Sequence, residues 1–108
     1  DGRRGMAVDS MIAGGCIVSG SSVRHSLLYR NVHVHSYCSI EDAVIFPEVQ
    51  VGRRSVIRRA VIDKGCIIPP DTHIGVDAVE DAARFHLSEE GIVLVTPEML
   101  GQRLHYAR

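Results

Sequence analysis

The feature that most constrains this chain is a repeat in its large aliphatic residues between Met11 and Asp77. Written in order, the stretch divides into MIAGGCIVSGSSVRHS, LLYRNVHVHSYCSIEDA, VIFPEVQVGRRSVIRRA and VIDKGCIIPPDTHIGVD, three segments of seventeen residues preceded by one of sixteen. Leu28, Ile45 and Ile62 stand seventeen apart, as do Val34, Val51 and Ile68, and Ile40, Ile57 and Ile74. Ile12, Val18 and Val23 supply the same columns in the first segment. From Leu28 onward the spacings within a segment are six, six and five, and the first segment is one residue shorter. A period this short is the signature of a β-solenoid, whose coils bury their apolar edges only by stacking on one another. Three short strands per coil make a triangular prism, and a sandwich of short strands would not require three aliphatic columns in register. At ~1.5–3 kcal/mol per buried aliphatic side chain, the column residues are the main favourable term. The expectation is an all-β, hexapeptide-type solenoid of about four 17-residue coils over 11–77.

With 108 residues the chain is one domain, and four coils with a cap use nearly all of it. A formal charge of −1 gives no electrostatic footprint for nucleic acid or an acidic membrane surface. No run of eighteen apolar residues and no signal peptide marks the chain for a membrane or for export. The DGRRG start at Asp1 reads as a cut inside a longer polypeptide, with residues 1–10 a linker whose Val8 begins to cover the open end of the prism. Of the three cysteines, Cys16 and Cys66 share a column with Val32 and Val49. They fall about 14 Å apart if coils stack every ~4.8 Å, too far to bridge. Cys38 joins Ser55 and Thr72 in a small-residue column, so all three read as packed thiols of a reducing compartment.

The outward columns carry the candidate chemistry. Arg24, Glu41 and Arg58 form one ladder of alternating sign, and His25, Asp42 and Arg59 a second. Ladders of this kind set register through exposed cross-strand pairs, and the alternative is an anion-binding face at the Arg53–Arg54 and Arg58–Arg59 pairs. Tyr29 and Phe46 share an outer column, which suggests a covered surface. His33 and His35 flank inward Val34, and so both project outward. They read as surface or interface histidines, with a shared metal or a general base as the sharper possibilities, and no third ligand is evident in their columns. The GGC and SGSS of the first coil lack the phosphate-loop pattern, and Gly14, Gly15 and Gly20 are corner residues.

Beyond Gly75 the period stops. Asp77 and Glu80 form the two ends of a capping box, and Val79, Ala83 and Leu87 mark one face of a short helix from about 78 to 87 that closes the prism. Gly91 ends that segment, residues 92–95 are a terminal strand, and Thr96, Pro97 and Glu98 start a helical turn. Residues 101–108 are polar and expected to fray.

Three stretches, RRGMAVDSMIAGGCIVSG at 3–20, PEVQVGRRSVIRRAVID at 47–63 and EDAARFHLSEEGIVLVTPEML at 80–100, make the whole chain similar to one family's C-terminal domain. That family is the bacterial glucose-1-phosphate adenylyltransferases, or ADP-glucose pyrophosphorylases, of glycogen synthesis. Hexapeptide periodicity is shared with many acyltransferases, whereas EEGIVLVT lies outside the repeat and is more telling.

The resemblance implies a left-handed parallel β-helix behind an N-terminal nucleotidyltransferase domain. It further implies a cytoplasmic homotetramer that joins ATP and glucose 1-phosphate with Mg²⁺ and answers to phosphorylated metabolite effectors. No catalytic residue, metal ligand or cofactor is assigned to this chain, since the Mg²⁺ belongs to the missing domain, and the fragment alone is expected to be inactive. Lys64 matches a basic position that the family uses at its effector cleft. Arginines that some members carry near the terminal segment are replaced here by Pro97 and Gly101, leaving Arg103 as a substitute. Tyr29, Phe46, His33 and His35 are the interface candidates. Two alternatives stay open: a hexapeptide-repeat acyltransferase using His33 or His35 as base, and a pure assembly module without an effector site.

Overall fold

The computed structural model describes residues 6–102, with the side chains of residues 6–8 outside that description. Its strands form three flat walls around one apolar axis. The first wall stacks Met6–Val8, Ser22–Arg24, Ser39–Glu41, Val56–Arg58 and His73–Ile74 in parallel. The second stacks Met11–Ile12, Leu27–Leu28, Val44–Ile45, Ala60–Ile62 and Val93–Val95, and the third Ile17–Val18, His33–Val34, Gln50–Val51 and Ile67–Ile68. This is a parallel β-solenoid of about four turns.

Register follows the sequence columns. Ile12 pairs with Leu28 and Leu28 with Ile45, Val34 with Val51, and Ile40 with Ile57. Ile40, Ile45, Ile57, Ile62 and Ile74 have no accessible surface, and Leu28 and Ile68 almost none. The first coil differs, because among the described residues only its first wall is covered, by Met6–Val8: Val23 is fully buried there, whereas Ile12 is 39% exposed and Val18 only partly buried.

Two devices turn the chain at its corners. Single residues in the left-handed region recur in columns, with His25, Asp42 and Arg59 at one corner (φ 49°, 53° and 45°) and Tyr37, Arg54 and Asp71 at another (φ 66°, 60° and 61°). A left-handed residue reverses the local direction without a longer loop, a conformation that Asn, Asp and His tolerate better than most side chains. Beside them, small buried hydroxyls tie coil to coil. The Ser21 hydroxyl donates to the His35 carbonyl and accepts from the Cys38 amide, and Ser26 accepts from the Ala43 amide. Ser55 accepts from the Thr72 amide in the same way. The small-residue column is therefore small because its hydroxyls take the place of missing backbone partners.

The structure departs from expectation at both ends. Met6–Val8 already pairs in register with Ser22–Arg24, so the first wall begins inside the segment read as linker. At the other end the helix is Ala78–Arg84, shorter than expected, capped by the Asp77 carboxylate accepting from the Val79 and Glu80 amides. Its buried face is not the one that apolar spacing marked. Val79 is 80% exposed, whereas Asp81 and, just beyond the helix, Phe85 are buried. The Asp81 carboxylate accepts from the Gly75 amide at 3.0 Å, and Phe85 enters the apolar core.

Leu87 lies in strand His86–Leu87, which runs antiparallel to Val93–Val95 around a turn closed by the Gly91 and Ile92 amides on Ser88. Val93–Val95 then re-enters the second wall beside Ala60–Ile62, so helix and hairpin are an insertion at one corner of a last coil. The Thr96 hydroxyl and carbonyl accept from the Met99 amide, which starts the expected turn at Glu98–Leu100. Far from fraying, Gln102 clamps the third wall, its amide accepting from the Ile67 N–H and donating to the Ile67 carbonyl. The remaining tail, with Arg103, lies outside the described residues.

Gly75 has φ +82°, and a Cβ there would meet the Arg58 carbonyl oxygen. Gly75→Ala is therefore expected to cost about 1–3 kcal/mol in urea unfolding, and an unchanged midpoint would contradict this packing.

Candidate functional site

The three walls present different outer faces because side chains alternate along each strand while the inward rows are all aliphatic. On the first wall Arg24, Glu41 and Arg58 are in register, but only Glu41 and Arg58 approach, at 3.9 Å. In the neighbouring corner column His25 lies 3.4 Å from Asp9 and 3.7 Å from Asp42, and Arg59 pairs with no described carboxylate. Arg54 and Asp71 instead form a bidentate ion pair, at 2.8 and 3.0 Å. It lowers the Asp71 pKa and raises that of Arg54, so its contribution is present above the ordinary carboxylate range and lost as pH falls. Both side chains are exposed, and salt screens the pair. An anion face at Arg53 and Arg54 is thereby half neutralised.

The second wall has a different character. Met11, Leu27, Val44, Val61 and Leu94 face outward in register, one per coil, and make an aliphatic strip along the length of the prism. Met11 is 70% exposed, and Leu27 and Leu94 are also exposed. Tyr29 and Phe46 border the strip in an edge-to-face contact, with centroids 5.2 Å apart. The sequence flagged these two aromatics but not the aliphatic strip, which hides beside the inward column. The signal was there in LL, VI and VI, where each inward residue is preceded by a second aliphatic.

His33 and His35 sit half-buried on the third wall, their rings stacked 4.0 Å apart. Burial, reinforced by the charge His35 can carry, lowers the His33 pKa. Lys64 occupies the corner after Ala60–Ile62, where its amide donates to the Asp63 carboxylate at 2.8 Å. Coil-to-coil bonds place it in one corner column with Arg30 and Pro47. Arg30 is two coils away, roughly 9–10 Å at ordinary strand spacing. Pro97, at one position where the resemblance placed an arginine, is buried, and Gly101, at the other, ends the last turn in a left-handed conformation. Lys64 follows the second wall, one position beyond the column of Tyr29, Phe46 and Asp63, whereas the histidines lie on the third wall.

All three cysteines are free. Among the described residues no cluster of three or more His, Cys, Asp or Glu is placed to hold a metal ion, and no helix is long and apolar enough to cross a membrane. What the walls offer is surface for contact: one apolar, one charged, one mixed.

A three-walled solenoid of this kind defines the class of hexapeptide-repeat domains, and the chain belongs to the GlmU-like C-terminal hexapeptide family, whose model matches residues 1–95. Over its whole length it is 58% identical to a glucose-1-phosphate adenylyltransferase of Nitrosospira multiformis and 62% identical to that of Methylococcus capsulatus. It is 61% identical over 100 residues to the enzyme of the same name from Dechloromonas aromatica. The chain spans about a quarter of the length of these relatives and matches their C-terminal region.

Burial, with Asp63 and Glu98 nearby, pushes the Cys66 thiol up to about 12, and burial also raises Cys38. Because the thiolate is the nucleophile, a maleimide at neutral pH is expected to label the half-buried Cys16 first in the native chain. Stability is expected to fall as pH climbs from the ordinary thiol value of 9.0 toward 12, since the unfolded chain ionises these thiols first. Equal labelling of all three cysteines under native conditions would contradict the packing.

Proposed function

We propose that this chain is the C-terminal assembly and effector-sensing domain of a cytoplasmic glucose-1-phosphate adenylyltransferase. The parent enzyme joins ATP and glucose 1-phosphate into ADP-glucose and pyrophosphate for glycogen synthesis. Similarity to the C-terminal quarter of relatives so named supports the parent's identity. The observation that carries the assembly role is the aliphatic strip of Met11, Leu27, Val44, Val61 and Leu94 with its Tyr29–Phe46 border. A contiguous apolar strip is costly to leave in water and is characteristic of a protein contact. In the parent homotetramer it is covered by protein, the chain's own nucleotidyltransferase domain or a neighbouring subunit.

The transfer chemistry belongs to that nucleotidyltransferase domain. Such a reaction needs a phosphate-cradling loop, cationic side chains on the phosphates and Mg²⁺ held by carboxylates. That set is assigned to the nucleotidyltransferase domain rather than to this chain. Effector sensing falls to Lys64, whose flexible ammonium suits a phosphate as a point charge, with Arg103 as a second cation. The acyltransferase reading gains no support: the two histidines it needs stack on each other, and no described carboxylate orients either ring.

Leu27→Asp with Val61→Asp in the full-length enzyme is expected to shift sedimentation to smaller species or weaken the contact between domains, while circular dichroism is retained. Unchanged assembly and unchanged domain contact would overturn the assembly role. The isolated chain should make no ADP-glucose. Lys64→Ala should raise the half-saturating effector concentration by roughly 5-fold or more, and an unaltered response removes Lys64 from the sensing site.

A further inference from the structure

The third wall carries a pair of side chains that lie apart from the aliphatic strip and from Lys64. His33 and His35 alternate with Val34, which is fully buried, so both imidazoles leave one strand on the same side. Their rings lie 4.0 Å apart and 20° from parallel, and since each lone pair lies in its ring plane, rotation of the rings out of the stack is what turns a nitrogen of each toward one ion. The surroundings hold this arrangement in place. His33 is in register with Ile17 on one side and Gln50 on the other. The His35 backbone amide donates to the Val51 carbonyl at 3.0 Å, which fixes the strand beneath the ring. Beside His35 the following coils form a groove lined by His35, Gln50, Gly52, Arg53, Ile67 and Pro69. Gly52 is required there by backbone, since an added Cβ would come within 2.5 Å of the Pro70 nitrogen.

We propose that His33 and His35 form a two-imidazole site for a first-row divalent transition metal, with the Gln50 side-chain oxygen as a third donor and water in the remaining positions. Imidazole suits Cu²⁺, Ni²⁺ and Zn²⁺, whereas Mg²⁺ and Ca²⁺ seek oxygen ligands. The general order of affinities puts Cu²⁺ first. Two donors on one rigid strand lose little freedom when they bind, which favours chelation over two separate single-ligand contacts. Arg53 lines the same groove and opposes the cation by like charge, which makes this a site for metals that imidazole binds strongly.

The test is a titration of the full-length protein with Cu²⁺ alone, followed by electron paramagnetic resonance. The expected result is a bound Cu²⁺ whose spectrum carries hyperfine structure from two imidazole nitrogens. His33→Asn and His35→Asn should each weaken that binding by about tenfold or more, while His86→Asn, on the second wall's added hairpin strand, leaves it unchanged. A single-nitrogen pattern in the unsubstituted protein, or a spectrum that neither substitution alters, overturns the proposal. The nitrogen count in the unsubstituted protein decides the matter even where a variant folds poorly.

Discussion

A coil of seventeen residues encloses too little apolar surface to stand alone, and everything in this molecule follows from the way each coil borrows its neighbour. The inward aliphatics of one turn lie on those of the next, and every strand passes its backbone hydrogen bonds to the strand one coil away. Because the gain comes from stacking, the ends are where the architecture is exposed. At the first coil Met11 and Ile12 remain open, and their openness joins the start of the aliphatic strip. At the last coil Ile68 and Ile74 are buried as deeply as any residue in the middle. Phe85, Val93 and Val95 supply that cover, and Gln102 replaces with one side-chain amide the strand that the third wall lacks.

The same stacking rule makes the outer walls independent of one another. An inward position admits only an aliphatic, a small hydroxyl or a thiol, whereas an outward position is constrained only by the residue one coil above and below. Charge can therefore collect on one wall, aliphatic surface on another and histidines on the third without disturbing the core. The corners impose the one further demand, a left-handed residue per turn, and nine non-glycine residues among those described accept it. Tyr37, Glu48, Arg54 and Arg59 do so without the local side-chain advantage of Asn or Asp, so the surrounding coil bonds hold them there.

The inward columns were legible because a spacing of six, six and five repeats from Leu28 to Ile74, and so were the aromatic pair and the two outward histidines. The corner conformations at Tyr37 and Arg54 were not, since neither residue type signals a positive φ. The C-terminal segment was read correctly as helix then strand, but its packing was misassigned. Val79, Ala83 and Leu87 have helical spacing, yet a helix of only seven residues is positioned by a carboxylate on the Gly75 amide and by Phe85 just beyond its end. No periodicity announces that Val93–Val95 rejoins a wall left more than thirty residues earlier. The aliphatic strip escaped notice for a simpler reason: in paired residues such as Val44 and Ile45, the inward partner alone explains the hydrophobicity.

That pair also offers the most direct measurement of the central claim, that neighbouring aliphatics of one strand face opposite ways, one into the prism axis and one onto its outer wall. In equilibrium urea unfolding, Ile45→Ala is expected to lose about 2–5 kcal/mol, because it opens a cavity in a column with no accessible surface. Val44→Ala is expected to lose under about 1 kcal/mol, as an outward substitution does. Equal losses at the two positions, or a larger loss at Val44, would contradict the account.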